Sequence, residues 1–181
     1  MLSRVFTAND GTLNNSNGYN FMSRIIVGIS DFKISGNVED MLITYALGSC
    51  IAVAVYDPKV RVGGLLHFML PNSKLDLNRA KAAPAMFADT GIPLLFKSCY
   101  GMGAQKKHMI VKIAGGASIL DNSNYFRIGQ KNITALRKIF WKNNVLIDGE
   151  DTGGDKNRTI SLDISTGKVI VKNPGKILLE L

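Results

Sequence analysis

IAVAVYDPKVRVGGLLHFML, residues 51–70, consists of two apolar runs separated by a short polar segment. The runs at 51–56 and 62–70 are rich in the branched aliphatic residues that strands prefer. Between them, Asp57-Pro58-Lys59-Val60-Arg61 has turn chemistry, because proline restricts φ and aspartate can accept a hydrogen bond from its own backbone. This stretch therefore predicts a β-hairpin that sets the two runs side by side.

Runs of the same kind lie on the amino-terminal side of this hairpin. Residues 25–29 and 41–44 are short and apolar, so we expect a sheet built early in the chain from neighbouring strands. Residues 7–20, in contrast, are rich in Asn, Gly, Ser and Thr and have no apolar periodicity. This composition predicts a flexible extension over residues 1–20 and one domain over residues 21–181.

On the carboxyl-terminal side the pattern alternates between helix and strand. Residues 76–100 have helical character, which we expect Pro84 and Pro93 to break or cap. A second helix is predicted over 129–143, since its apolar residues recur at helical spacing. Its expected buried side consists of Ile133, Leu136, Ile139 and Phe140. Further strands are predicted at 109–113, 145–147, 159–164 and 169–171. With no internal repeat, the pattern indicates a single α/β domain.

Size and hydropathy exclude several classes of protein. The chain has 181 residues, of which 46% are hydrophobic and 20% are charged. A chain of this size buries about 70% of its unfolded surface in one core, so it needs no disulfide or structural metal to fold. No apolar run approaches the ~20 residues of a membrane-spanning helix, and residues 1–6 lack the features of a signal peptide. We therefore expect a cytoplasmic protein that is not embedded in a membrane.

The positive charge is confined to one segment. The formal net charge is +8, and residues 91–142 carry nine Lys and Arg against one acidic residue. In the predicted second helix, four of these cations fall along one stripe opposite the core. They are Arg127, Lys131, Lys138 and Lys142. Three interpretations remain open on charge alone: a nucleic-acid surface, a solvated helix face, or a surface that attracts an acidic protein.

Cys50 and His67 are the residues best placed for chemistry. Cys50 follows Gly48-Ser49 at the start of an apolar run, where nearby backbone N–H groups could stabilise a thiolate or an oxyanion. The predicted hairpin brings His67 close to the same end, so the imidazole could act as base for a nucleophilic thiol. The alternatives are a small buried cysteine and a core histidine bonded to a backbone carbonyl. We interpret Cys99 as a structural thiol and His108 as a surface residue.

Cofactor chemistry is disfavoured by the same inventory. Two cysteines and two histidines at these spacings match no zinc pattern. The glycine pairs at 63–64, 115–116 and 153–154 lack the lysine or the spacing of phosphate-binding loops. Paired glycines of this kind are typical of sharp turns or of close backbone approach. We therefore expect no metal and no organic cofactor.

Several motifs, in order, resemble those of the CheD family of chemoreceptor glutamine deamidases. They extend over roughly residues 24–172 and are Thr44-x-x-Leu47-Gly48-Ser49-Cys50, Tyr56-Asp57-Pro58, Gly63-Gly64-x-x-His67-Phe68-Met69-Leu70-Pro71, Phe87-Ala88-Asp89-Thr90, Lys112-Ile113-Ala114-Gly115-Gly116-Ala117, Ile128-Gly129-x-x-Asn132 and Glu150-Asp151-Thr152-Gly153-Gly154, with Arg158 following. The resemblance implies a three-layer α/β sandwich, distantly similar to the deamidating domain of cytotoxic necrotizing factor toxins. The family commonly has Arg where this chain has Lys131, which preserves the charge.

The resemblance also implies an activity and a set of roles. The activity is hydrolysis of selected glutamine side chains to glutamate on methyl-accepting chemotaxis receptors, with release of ammonia. By the family pattern Cys50 is the nucleophile, His67 the base and Thr44 the third member of the triad, with backbone groups of Gly48 and Ser49 at the oxyanion. The alternative is an adaptor that binds receptors and a CheC-type phosphatase with little catalysis. Either activity turns the basic stripe into a candidate surface for an acidic protein rather than for nucleic acid.

Overall fold

The computed structural model describes residues 23–118, 127–175 and 178–181, and the predicted extension over residues 1–20 lies outside them. Its strands are β1 (Ser23–Ile26), β2 (Asp31–Ser35), β3 (Asp40–Leu47), β4 (Ile51–Asp57), β5 (Val62–Phe68), β6 (Ile110–Gly115), β7 (Gly149–Thr152), β8 (Arg158–Asp163), β9 (Val169–Lys172) and β10 (Leu178–Glu180). Its α-helices are α1 (Leu77–Ala82), α2 (Ala88–Gly101) and α3 (Ile128–Lys142). No helix in the described ranges is long and apolar enough to cross a membrane.

The strands form two five-stranded mixed sheets. The central sheet has the order β2-β5-β4-β6-β7, and the outer sheet has the order β1-β3-β8-β9-β10. The predicted hairpin is confirmed, because β4 and β5 pair antiparallel from Ile51↔Phe68 to Asp57↔Val62. It lies in the middle of the central sheet, with β2 and β6 as its outer neighbours.

The central sheet is covered on both faces. Every residue of β4 and β5 is buried, and alternate residues contribute to two different cores. Ile51, Val53 and Val55 pack against helices α2 and α3, whereas Ala52 and Ala54 pack against the outer sheet. The chain is therefore an α/β protein with three layers: the helices, the central sheet and the outer sheet.

The helices follow the predicted pattern with one exception. Ile133, Leu136 and Phe140 of α3 are buried, as its spacing predicts. Pro84 begins a short 3-10 helix, but the expectation that Pro93 interrupts the next helix is wrong, because α2 continues through it. Pro93 lies on the exposed side of α2, and the buried residues on the opposite side hold the helix against β5 despite the missing N–H.

The strand predicted at 145–147 is also wrong. Val145 and Ile147 pack against the helical core without strand pairing, and β7 begins only at Gly149. Asp148 makes the transition, since its amide donates to the Val111 carbonyl and its carboxylate accepts from the Val111 amide. An apolar run indicates burial but does not by itself distinguish a strand from an extended connection. Strands β2, β7 and β10 were not predicted; β7 and β10 lack apolar alternation, whereas β2 alternates and packs Phe32 and Ile34 against the helical core.

A β-bulge in β3 brings Leu47 to the same side of the strand as Thr44, just before the candidate site. The register with β8 shifts between Thr44 and Leu47, and Ala46 has a positive φ of 55°. In a regular strand, residues three apart face opposite sides. Here Thr44 and Leu47 are both buried, whereas Tyr45 and Ala46 are exposed. Thr44 is buried by regular alternation with Leu42, and the bulge turns Leu47 to the same side.

One buried ion pair joins the two sheets near this bulge. Arg158 of β8 donates from Nε and Nη2 to the two carboxylate oxygens of Asp151 in β7, each at 2.9 Å. Arg158 is only 7% exposed, and it pairs with Leu47 across the outer sheet. The hydrogen bond and charge of Arg158 lower the pKa of Asp151 despite its partial burial. The pair therefore connects the edge of the central sheet to the strand that leads into the candidate site.

Replacing Asp151 by Asn should lower the free energy of unfolding at pH 7 by about 2–4 kcal/mol, because Arg158 would remain buried without a counter-charge. The folded-state pKa of Asp151 is lowered, so the pair stabilises the fold above the ordinary carboxyl pKa of about 4 and that contribution is lost as pH falls below it. The difference between wild type and Asp151→Asn should shrink in urea titrations between pH 7 and pH 3.

The matched control is Glu150→Gln at the neighbouring position. Glu150 forms an exposed pair with Arg137 at 2.9 Å, and exposed pairs contribute less than about 1 kcal/mol. Equal losses for the two variants at pH 7 would show that the Asp151 pair has no special structural role.

Candidate active site

The turn between β3 and β4 carries Cys50 across from the outer sheet to the central sheet. Gly48, Ser49 and Cys50 form this turn, and β4 begins at the next residue. Cys50 is partly buried and packs against the inner core between the sheets. Its side chain therefore lies at the rim of the layer where the two sheets meet.

His67 enters the same layer from β5. It pairs with Ala52 of β4, and it lies two residues after Leu65, whose side chain packs in the inner core. Cys50 directly precedes Ile51, which pairs with Phe68, so Cys50 and His67 lie at the same end of the hairpin, and Cys50 packs against the same inter-sheet core that Ala52 and Leu65 enter. The prediction that the hairpin brings them to the same end is confirmed. His67 is fully buried, and its Nε2 has no hydrogen-bond partner among the described residues.

Thr44 completes the group from the opposite sheet. Its Oγ1 lies 2.8 Å from Nδ1 of His67, and both side chains are buried. The bulge after Thr44 is what allows this residue and the turn that follows Leu47 to serve one site. This hydrogen bond links the two sheets at the site and fixes the orientation of the imidazole ring.

Both titratable groups are neutral in this environment near pH 7. Burial raises the pKa of the Cys50 thiol, and the backbone N–H of Cys50 opposes only part of that rise. Burial lowers the pKa of His67 to about 4. A protonated thiol therefore lies near an unprotonated imidazole, and a thiolate–imidazolium pair is not the resting state.

Each carbonyl group of the turn accepts a hydrogen bond from a residue outside the turn. The amides of Gly116 and Ala117 donate to the carbonyls of Cys50 and Gly48, each at 2.8 Å. Nδ2 of Asn132 donates to the Ser49 carbonyl at 3.0 Å. No backbone carbonyl in the described segments accepts a hydrogen bond from the amide of Ser49 or Cys50. These two amides are therefore candidate donors to an oxyanion, and that of Cys50 also interacts with its own sulfur.

Close backbone approach explains the second glycine pair. A Cβ on Gly115 would lie 2.2 Å from the Cys50 carbonyl oxygen, and one on Gly116 would lie 2.7 Å from Ile133. Both glycines also have positive φ, of 114° and 69°. The predicted use of this pair for close approach is confirmed, and only glycine allows β6 to end directly behind the turn that carries Cys50.

The other cysteine and histidine lie elsewhere. Cys99 is buried in α2 on the helical side of the central sheet, and burial raises its pKa to about 12. His108 lies 3.6 Å from Asp57, at the opposite end of β4 from Cys50. Within the described part of the chain, no three His, Cys, Asp or Glu side chains form a group that could hold a metal ion.

Asn132 is a contact residue that reasoning about chemistry did not single out. It is fully buried on α3 and donates to the carbonyls of Ser49 and Met69, whereas from the sequence it stands out only as part of a family motif. The sequence signal that could have identified Asn132 is a polar residue on the buried side of an amphipathic helix, because such a residue needs hydrogen-bond partners in the core.

The chain is a three-layer α/β protein built from two mixed sheets and a helical layer. A thiol and a buried imidazole lie between its sheets. The family model described as CheD chemotactic sensory transduction matches residues 69–173. A protein of Syntrophus aciditrophicus, named "Probable chemoreceptor glutamine deamidase CheD 1", is 71% identical over 160 residues, which cover 88% of this chain and 100% of the relative. The chain belongs to the CheD family.

More distant relatives agree over the same length. A protein of Solibacter usitatus with the CheD name is 47% identical over 155 residues, which cover 86% of this chain and 92% of the relative. One from Pyrococcus horikoshii is 39% identical over 161 residues, which cover 87% and 98%. The similarity therefore includes the candidate site as well as the matched carboxyl-terminal part.

Alkylation of Cys50 by iodoacetamide should be slow at neutral pH and should accelerate steadily above about pH 8.5, because only the thiolate reacts and the pKa of Cys50 is raised. Cys50→Ala, which retains the buried Cys99, should show almost no labelling of the folded protein. The measurement is the pH dependence of the labelling rate by mass spectrometry. A rate that is already maximal below pH 7 would indicate a preformed thiolate and would contradict the neutral pair.

Proposed function

We propose that this protein is a chemoreceptor glutamine deamidase that uses Cys50, His67 and Thr44. Membership of the CheD family and the names of the relatives support the reaction class. The observation that carries the assignment of roles is the buried hydrogen bond between Thr44 and Nδ1 of His67, which leaves Nε2 without a partner at the end of the strand next to Cys50. On this proposal the chain has the Cys-His-Thr thiol mechanism of a protein-glutamine glutaminase and acts in the cytoplasm on membrane-bound receptors.

In the first half-reaction, the sulfur of Cys50 attacks the carboxamide carbon of a receptor glutamine. Nε2 of His67 takes the thiol proton as the C–S bond forms, because a base with a pKa of about 4 cannot ionise the thiol beforehand. The backbone amides of Ser49 and Cys50 stabilise the oxyanion. His67 then donates the proton to the departing nitrogen, so that ammonia leaves and a thioester remains.

Water completes the reaction on the thioester. His67 removes a proton from the attacking water as the C–O bond forms, and the C–S bond then breaks. The proton held by His67 returns to the sulfur, so Cys50 is regenerated as a thiol and the side chain leaves as glutamate. No metal or organic cofactor enters this sequence.

Thr44 orients the ring of His67 and can accept the proton of the tautomer that catalysis needs. If Nδ1 carries the ring proton and donates to Oγ1 of Thr44, Nε2 keeps its lone pair for the thiol proton; the reverse arrangement would leave no base. Threonine is a neutral acceptor, so it orients the ring without the strong imidazolium stabilisation that a carboxylate provides. This role agrees with the low pKa of His67.

The proposal also includes a distant structural similarity and a second binding partner. The implied likeness to the deamidating domain of cytotoxic necrotizing factor toxins fits a glutamine-directed thiol enzyme. A CheC-type phosphatase is the proposed second partner, and on the adaptor alternative its binding would be the main activity. The group of thiol, base and orienting hydroxyl favours catalysis, because an adaptor has no physical need for all three.

Cys50→Ala and His67→Ala should each lower ammonia release from a receptor cytoplasmic fragment by at least about 10³-fold, because each removes an essential step. The chain offers matched controls in its other cysteine and histidine. Cys99→Ala and His108→Ala should remain active, since these residues lie away from the site. Ammonia and the Gln-to-Glu mass change in receptor peptides are the two measurements.

Full activity in the Cys50 or His67 variant would exclude the proposed roles. Tight binding of the wild-type protein to receptor or to a CheC-type phosphatase, with neither ammonia nor a mass change, would support the adaptor alternative instead.

The basic stripe supports an acidic receptor segment as the substrate. Lys131, Lys138 and Lys142 are exposed along α3, and Arg127 directly precedes this helix. A surface groove lined by Arg127, Lys131 and Lys138 also includes Pro71, four residues after His67. Receptor segments around modified glutamines are rich in glutamate, so the stripe would attract them towards the site.

Changing Lys131, Lys138 and Lys142 together to Glu should lower kcat/KM for receptor deamidation by about tenfold or more at low ionic strength and leave kcat nearly unchanged. Added salt should narrow the difference, because it screens exposed charges. Lys59→Glu is the control, since Lys59 is exposed in the hairpin turn at the far end from the site. A kcat/KM that does not respond to salt or to charge reversal would show that the stripe is only a solvated helix face.

A further inference from the structure

Asn132 connects the two segments that carry Cys50 and His67. Its Nδ2 donates to the Ser49 carbonyl at 3.0 Å and to the Met69 carbonyl at 2.8 Å. Ser49 directly precedes Cys50, and Met69 lies two residues after His67. One amide group therefore bridges the nucleophile turn and the end of β5.

Two observations set this side chain apart from an ordinary core amide. Asn132 is fully buried, and its Oδ1 has no partner among the described residues. A buried amide with one atom unsatisfied costs free energy, so its presence in a core calls for an explanation. Both remaining bonds go to the two segments of the candidate site, and none goes to the helix on which Asn132 lies.

The start of α3 is fitted to bring Asn132 to this position. A Cβ on Gly129 would lie 2.4 Å from the Gly116 carbonyl oxygen, so this helix touches the turn after β6 directly. Asn132 follows Gly129 by three residues and shares its helix face. The turn after β6 in turn donates from Gly116 to the Cys50 carbonyl. Helix α3 thus contacts the nucleophile turn directly through Asn132 and indirectly through its close approach to the turn after β6.

We infer that Asn132 is a positioning residue that holds Cys50 and His67 at the separation needed for proton transfer. The inference rests on the proposed function for its kinetic consequence, but the geometry it describes is independent of the substrate. The bonds from Gly116 and Ala117 hold the Gly48 and Cys50 carbonyls relative to β6 only. Pairing of Ile51 with Phe68 joins the two strands next to the site, and the Asn132 bridge adds a side-chain link from the nucleophile turn itself to the segment after His67.

The test uses Asn132→Ala and Asn132→Asp in the full-length protein. The first removes the amide, whereas the second keeps its volume and places an acceptor against two carbonyls. Each should lower kcat for ammonia release about 10- to 100-fold, since small misplacement of reacting groups has effects of this size. KM should stay within about twofold, because Asn132 is buried and does not contact solvent-side substrate.

Leu136→Ala is the matched control, one turn further along the same buried side of α3. It should reduce the melting temperature, because it leaves a cavity, without reducing kcat at temperatures where the protein is folded. A loss of kcat in Leu136→Ala equal to that in Asn132→Ala would reduce the role of Asn132 to stability and overturn the inference.

Alkylation of Cys50 supplies a readout that does not depend on deamidation. Release of the turn should expose Cys50 and move its apparent pKa towards the ordinary thiol value, so both Asn132 variants should react with iodoacetamide several-fold faster at pH 8 than wild type or Leu136→Ala. If both Asn132 variants have the kcat and the labelling rate of wild type, Asn132 does not position Cys50 and His67. If the wild-type protein releases no ammonia, the proposed function fails, and the labelling comparison still decides the role of Asn132.

Discussion

Burial of the β4–β5 hairpin on both faces is the constraint on which the other parts of this structure depend. One face carries the large aliphatic side chains that receive α2 and α3, and the other carries alanines and leucine that receive the outer sheet. Small residues on the second face let the two sheets approach closely. His67 lies in that layer, where water is excluded and where Thr44 of the other sheet can reach its ring.

The same burial determines how the site can work. A dry layer disfavours charge, so the thiol stays protonated and the imidazole stays neutral until a substrate carbonyl is present. The backbone compensates for this lack of charge. The carbonyls of the turn accept hydrogen bonds from Gly116, Ala117 and Asn132. The amides of Ser49 and Cys50 donate to no backbone carbonyl among the described residues. Reactivity then depends on geometry, and helix α3 becomes part of the site although it supplies no reacting group.

Local pattern was sufficient for the hairpin, because β4 and β5 combine branched residues with turn chemistry at Asp57-Pro58. It also brought Cys50 and His67 to one end of the sheet. It failed where tertiary contacts decide: α2 continues through Pro93, and the apolar residues at 145–147 pack without pairing. The polar strand β7 is held by β6 and by the Asp151 pair rather than by its own propensity. Thr44 came only from family resemblance, since strand alternation predicts its burial but not its partner, which lies on the other sheet.

The separation of the two cysteines has a consequence for redox behaviour. Peroxide attacks thiolates far faster than thiols, and both cysteines have raised pKa values. Cys50 lies between the sheets and Cys99 lies under the helices, so the central sheet stands between them and they cannot form a disulfide within one molecule. At neutral pH the raised pKa of Cys50 slows its oxidation, and the central sheet keeps any sulfenic acid formed there from being resolved by Cys99.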